Sequence, residues 1–153
     1  MASLHQISVS DGGVPKRAVD SADITVNGVI GDRQRNTVHH GGPDRAVCLF
    51  SLEVIEGFKS EGHPIEPGFA GENLTVSGID WDLVVPGQRL SVGPAVKLEI
   101  TSYTAPCATN ADWFKDGRFG RMSQSRHPGE SRVYAKVLRE GTVTVGDGVG
   151  LLD

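Results

Sequence analysis

Hydrophobic and polar positions change along this chain in short bursts rather than in long helical stripes. Leu4-His5-Gln6-Ile7-Ser8-Val9 and Val96-Lys97-Leu98-Glu99-Ile100-Thr101 run with a period near two, which predicts strands with one buried face. Ile24-Thr25-Val26, Asn73-Leu74-Thr75-Val76 and Arg89-Leu90-Ser91-Val92 are shorter runs of the same kind. Ala46-Val47-Cys48-Leu49-Phe50 is continuously apolar and predicts a strand buried on both faces. Near the end, the runs 132–139 and 142–145 flank Glu140-Gly141 and predict a hairpin. Helical spacing is rare. Ser51 can cap a helix carrying Leu52, Val54, Ile55 and Phe58, with Glu53 in its first turn and Gly62 beyond its end. A second short helix is expected to begin at Cys107 and include Trp113 and Phe114. Twenty Gly and eight Pro supply the turns between these runs. The pattern predicts a mostly β fold, a barrel or sandwich with small helical additions, and shows no internal repeat.

At 153 residues the chain fits a single domain, 1–153, which can bury roughly 68–70% of its unfolded surface. A net charge of −4 with 22% charged and 38% hydrophobic residues argues against disorder and against non-specific nucleic-acid binding. The apolar runs are too short to span a membrane. Met1-Ala2-Ser3-Leu4-His5 lacks the regions of a signal peptide, so a cytoplasmic location is the expectation. Two cysteines make no disulfide framework, and free thiols are expected in a reducing compartment. Cys48 sits inside an apolar run and reads as a small core residue. Cys107 follows Pro106 at the start of a loop or helix, where backbone N–H groups can stabilise a thiolate.

The run His39-His40-Gly41-Gly42-Pro43-Asp44-Arg45-Ala46 is the densest in chemistry. Its Gly-Gly pair lets backbone approach an anion closely, while His and Arg supply positive charge. Three further segments stand beside it: Gly28-Val29-Ile30-Gly31-Asp32-Arg33, Pro67-Gly68-Phe69-Ala70-Gly71-Glu72-Asn73-Leu74, and Pro106-Cys107. Glu72 and Asn73 enter a strand, where they can hydrogen-bond a ligand or simply cap the turn. Adjacent histidines point to opposite faces of an extended chain, and no Cys-x-x-Cys or His-x-x-x-His occurs, so a structural zinc site is disfavoured. A Cys/His hydrolase pairing Cys107 with His39 or His40 has no local motif to support it. Lys16, Lys59, Lys97, Lys115 and Lys136 show no Schiff-base context, so no covalent pyridoxal phosphate is expected. The segment Lys115 to Glu130, with Arg118, Arg121 and Arg126, reads as a long, mobile loop of the kind that often carries function.

Taken in order, these segments, together with Leu98-Glu99-Ile100-Thr101, Tyr134-Ala135-Lys136-Val137-Leu138, Gly141 and Gly146-Asp147, resemble the MOSC domain, the C-terminal domain of molybdenum-cofactor sulfurases. The resemblance implies a closed or partly open β-barrel, pyruvate-kinase-barrel-like, with a few short helices. It also implies molybdenum-cofactor binding, with pyridoxal phosphate only as a family-level association. Cys107 matches the family cysteine, which ligates molybdenum in relatives that reduce N-hydroxylated compounds and carries sulfur in others. The implied cofactor-binding set is His40, Gly41, Gly42 and Arg45 of the Gly-Gly run, Asp32 and Arg33 of the Gly-Asp-Arg turn, and Glu72 and Asn73. The family commonly shows Arg-x-Pro-Cys, whereas this chain has Thr104-Ala105-Pro106-Cys107. Either Arg33, Arg45 or an arginine of the Lys115–Glu130 loop substitutes, or the cofactor is held weakly or replaced by another ligand. Three readings follow: an oxidoreductase module served by a separate electron donor, a sulfur carrier served by a cysteine desulfurase, and a non-catalytic binding module.

Overall fold

The computed structural model describes residues 1–33 and 42–153. Eleven strands are formed: β1 (Ser3–Val9), β2 (Arg17–Val19), β3 (Ser21–Thr25), β4 (Gly28–Val29), β5 (Val47–Ser51), β6 (Leu74–Ser77), β7 (Arg89–Val92), β8 (Val96–Tyr103), β9 (Val133–Arg139), β10 (Gly141–Thr144) and β11 (Val149–Leu152). Eight form one sheet in the order β11-β7-β8-β9-β5-β6-β1-β2, and three form a second in the order β10-β3-β4.

The apolar run at 46–50 becomes β5, which lies inside the larger sheet with every residue buried. It pairs antiparallel with β9 and parallel with β6, as expected of a strand covered on both faces. The parallel step requires a crossover, and the helix α1 (Leu52–Ser60) makes part of it. Ser51 caps α1, its Oγ accepting from the Val54 N–H at 3.2 Å. Ile55 and Phe58 are buried, and the Phe58 ring lies 6.1 Å from Phe50 and 5.7 Å from Phe114. Each such side chain contributes about 1.5–3 kcal/mol by burial.

The structure corrects three expectations. No closed barrel forms, because the ladder ends at β11 and β2. The start of β1 meets residues 146–149 through an isolated Ser3–Gly148 bridge and a Val149 N–H bond to the Ala2 carbonyl at 3.1 Å, without a continuous ladder. The hairpin at Glu140-Gly141 is also absent. A single residue separates β9 from β10, too few to reverse the chain, and the strand crosses to the second sheet to pair with β3. Finally, the segment 115–130 is packed rather than open. It forms 3-10 turns at Lys115–Gly117 and Phe119–Met122, and Met122 is buried. Arg121 pins it, donating from Nη2 to Glu61 at 2.8 Å, pairing with Glu130, and lying 4.8 Å over the Phe58 ring. Among the described residues no helix is long and apolar enough to cross a membrane.

Candidate functional site

Cys107 stands where β8 ends. Beyond Tyr103 the pairing with the neighbouring strand continues for one step, the Thr104 N–H donating to the Arg132 carbonyl at 2.9 Å. Pro106, which has no N–H to donate, then marks the departure from the sheet. Cys107 takes the N-cap position of a 3-10 turn at Ala108–Trp113, close to the helix start expected there. Its half-buried thiol accepts a hydrogen bond from the Thr109 hydroxyl at 3.2 Å. That bond, then the Thr109 backbone N–H and the Arg132 charge, hold the thiol below its ordinary value against the opposing effect of burial. Cys48 behaves oppositely. It is buried, burial pushes its thiol up, and its Sγ lies 3.8 Å from the Thr104 Oγ1.

Arg132 is the residue that sequence reasoning missed. It is only 5% exposed and donates from Nη1 to the Ala70 carbonyl at 2.8 Å and from Nη2 to the Ala105 carbonyl at 3.0 Å. Asn110 donates to the same Ala70 oxygen at 3.2 Å. The Arg132 Nε and the Asn110 Oδ1 are buried and have no partner among the described residues. No local motif marks Arg132; only the register of β8 against β9 sets it across from residue 104, where the family pattern has its arginine.

Three residues expected around a cofactor are engaged with the protein itself. Asn73 accepts the Cys48 N–H on Oδ1 at 3.0 Å and donates from Nδ2 to Asp32 at 2.9 Å and to the Ser8 carbonyl at 3.3 Å. Asp32 also pairs with Lys16 at 2.7 Å, both side chains being nearly sealed from solvent, and accepts the Ser10 N–H at 2.9 Å. Glu72 accepts on Oε2 from the Gly68 N–H at 2.9 Å and the Thr75 hydroxyl at 3.1 Å. Burial pushes its carboxyl up. These groups support turns from beneath. Arg33, by contrast, is exposed, 3.9 Å from Asp11.

Gly42 is exposed with φ 94° and opens a 3-10 turn at Pro43–Arg45. The Arg45 guanidinium lies 5.4 Å over the Tyr134 ring, and the Thr101 hydroxyl donates to the Asp44 carbonyl. Tyr134 sits opposite Cys48 and Ser102 on neighbouring strands and hydrogen-bonds Thr104, and burial pushes its phenol up to about 12. The Gly42–Arg45 turn therefore meets β9 beside the strand ends that carry Thr104. His39, His40 and Gly41 lie outside the described residues.

Among the described residues no group of three or more His, Cys, Asp or Glu is arranged for a metal ion. Two cavities, of about 530 Å³ beside Gln88, Glu99 and Leu151 and about 170 Å³ beside Trp81, Tyr103 and Gln124, are not lined by Cys107.

The MOSC domain family model matches residues 36–150. The uncharacterized protein YflK of Bacillus subtilis (strain 168) is 33% identical over 144 residues, 92% of this chain and 63% of that protein. A protein named reductase from Gibberella moniliformis is 28% identical over 134 residues, which make up 23% of its length. The chain thus spans less than two thirds of either relative. A crystal structure of a hypothetical protein superposes over all of this chain and 69% of its own, with TM-score 0.78 and 25% identity. YiiM from Geobacillus stearothermophilus shares the fold, with TM-score 0.76, 22% identity, and coverage of all of this chain and 76% of its own. The chain belongs to the MOSC domain family, a family associated with molybdenum-cofactor binding.

Proposed function

We propose that this protein binds the molybdenum cofactor, with Cys107 as a sulfur ligand, and acts as an oxidoreductase module on N-hydroxylated compounds. The observation that carries this reading is the state of Cys107: half-buried, at a turn that leaves the sheet, with its thiol held toward the thiolate by Thr109. A thiolate is the soft donor suited to a metal already bound by sulfur. Two buried polar atoms have no partner among the described residues, the Arg132 Nε and the Asn110 Oδ1, on side chains that both donate to the Ala70 carbonyl close to the same turn. The residues present therefore fit the group. Cys107 would hold the metal, and Gly42, Arg45 and the preceding His40-Gly41 would meet the cofactor's anionic groups. When bound, the cofactor supplies a metal centre for electron transfer to the substrate. The protein's own part is to favour the thiolate form of Cys107 and orient its sulfur, through Thr109, and to fix the turns that flank it through Asn73, Glu72 and Asp32. The reductase name of a relative of which this chain spans 23% supports the redox theme.

The test is expression in a host that makes the cofactor, followed by metal and pterin analysis. Bound molybdenum and pterin, with the metal lost and the fold kept in Cys107→Ser, is the expected result. Absence of both from the wild-type protein overturns the reading. The same half-exposed thiolate also suits a sulfur carrier. A Cys107-dependent gain of one sulfur after incubation with a cysteine desulfurase and cysteine, reversed by reduction, would support that second reading. A Cys107 that neither binds metal nor accepts sulfur would leave a non-catalytic binding module.

A further inference from the structure

A buried guanidinium ordinarily faces a carboxylate, because a charge taken out of water is costly unless an opposite charge accompanies it. Arg132 breaks this rule. Among the described residues its hydrogen bonds run to two carbonyl oxygens, its Nε has no partner, and no carboxylate pairs with it. Residues 34–41 contain no Asp or Glu to supply one. Glu72 is the buried carboxyl coupled to the Arg132 charge, but it forms no ion pair with it: its Oε2 accepts from Gly68 and Thr75, its Oε1 is buried with no partner among the described residues, and burial favours its neutral form.

The two carbonyls are informative. Ala105 lies two residues before Cys107, and Ala70 leads into Gly71-Glu72. The guanidinium therefore ties the turn carrying Cys107 to the turn carrying Glu72. Asn110, three residues after Cys107, strengthens the tie by donating to the same Ala70 oxygen. A charge so placed, sealed from solvent and with no directly paired carboxylate among the described residues, acts on its neighbourhood with little screening.

We propose that Arg132 is a positioning residue for Cys107 and makes the thiol selective for anionic reactants. The buried guanidinium holds the turn and attracts ligands that bring a negative charge to the sulfur, such as a carboxylate-, phosphate- or thiolate-bearing molecule. The proposal rests on the reading of Cys107 as the functional sulfur and is independent of which cofactor it serves.

The experiment uses the metal-free protein and two alkylating reagents of similar size, anionic iodoacetate and neutral iodoacetamide, with Cys107 and Cys48 distinguished by peptide mass. The ratio of the two rates at one pH cancels the thiolate fraction and reads the local potential alone. In the wild type the ratio at Cys107 should exceed that of the neutral thiol N-acetylcysteinamide, although the protein's net charge of −4 works in the opposite direction. Arg132→Met should lower the ratio by about 3- to 10-fold, and Arg132→Lys should recover most of it. A wild-type ratio at or below that of the model thiol overturns the proposal, as does a folded Arg132→Met protein with the wild-type ratio. If Arg132→Met does not fold, the wild-type comparison and the Arg132→Lys ratio decide. Failure to find molybdenum would leave these ratios unchanged, so the two readings fail separately.

Discussion

The Thr104 N–H donates to the Arg132 carbonyl at 2.9 Å, so these two residues face each other where β8 and β9 part. Thr104 is buried and uncharged, and it contributes its hydroxyl to Cys48 and Tyr134. The cation at this end of the sheet comes instead from the opposite side of the pair. The arginines weighed as substitutes from the sequence have other surroundings: Arg33 is exposed, Arg45 stacks over Tyr134, and Arg121 pairs with Glu61 and Glu130.

The two thiols should differ sharply in reactivity. Alkylation of Cys107 should rise with pH and level off below the pH at which an ordinary thiol does, because its folded value is lowered chiefly by the Thr109 hydroxyl. Thr109→Val should move that midpoint up by about one pH unit or less, the worth of one hydrogen bond. Cys48, buried and shifted up, should react only when the protein unfolds. Peptide-resolved mass spectrometry across pH 6 to about 9 measures all three.

The Lys16–Asp32 pair is sealed inside a network, so removing one partner strands the other. Lys16→Met should cost about 3–5 kcal/mol in urea denaturation. Asp32→Asn combined with it should cost less than the sum, with a coupling of about 1–3 kcal/mol. A coupling near zero would mean that the ion pair contributes nothing in solution.

Gly68 has φ +87°, and a Cβ there would stand 2.7 Å from the Ser8 Oγ and 3.0 Å from the Lys16 carbonyl. Gly68→Ala should therefore destabilise the fold by about 1–3 kcal/mol, seen as a lowered Tm. Gly42→Ala, with a similar φ but no described residue beyond its chain neighbours within 4 Å of an added Cβ, should cost less.

Glu61 is held below its ordinary value, chiefly by its hydrogen bonds with Arg121. Its contribution to stability is therefore full above the ordinary carboxylate value and lost as pH falls through the lowered one. Arg121→Ala should cost about 1–2 kcal/mol at pH 7, including the lost contact with Phe58. The gap from wild type should shrink in acid, measured by denaturation at pH 7 and about pH 3.

Glu72 shifts the other way, with burial as the main cause. The folded protein holds this proton to higher pH than the unfolded chain does, so the charged form is a growing penalty as pH rises above the ordinary carboxylate value. Glu72→Gln should match wild type in acid and exceed its stability at neutral and higher pH. Denaturation midpoints of the two proteins across that range check the sign.

Much of the architecture was legible along the chain. The all-buried run at 46–50, the Ser51 cap and the alternating run at 96–101 announced β5, α1 and β8, because burial on one or two faces imposes a period that survives in sequence. The short strands β2, β4 and β11 were not announced. A strand of two or three residues, such as β2 or β4, offers too few positions for a period, and β11 is interrupted by Gly150. The candidate residues were legible as a set of types rather than as roles. Glu72, Asn73 and Asp32 stood out because they occupy turns, and local pattern does not distinguish a side chain facing a ligand from one bonded inward.

The sequence by itself determined that this is a mostly β protein of the MOSC family with one cysteine poised at a turn, because periodicity, turn residues and ordered motifs are local properties. The tertiary structure decided what surrounds that cysteine. Residue 132 meets residue 104 only through strand register, and Asp32 meets Lys16 and Asn73 only once three separate segments are packed together. A buried charge and its missing counter-ion are properties of that packing, which no window along the chain contains.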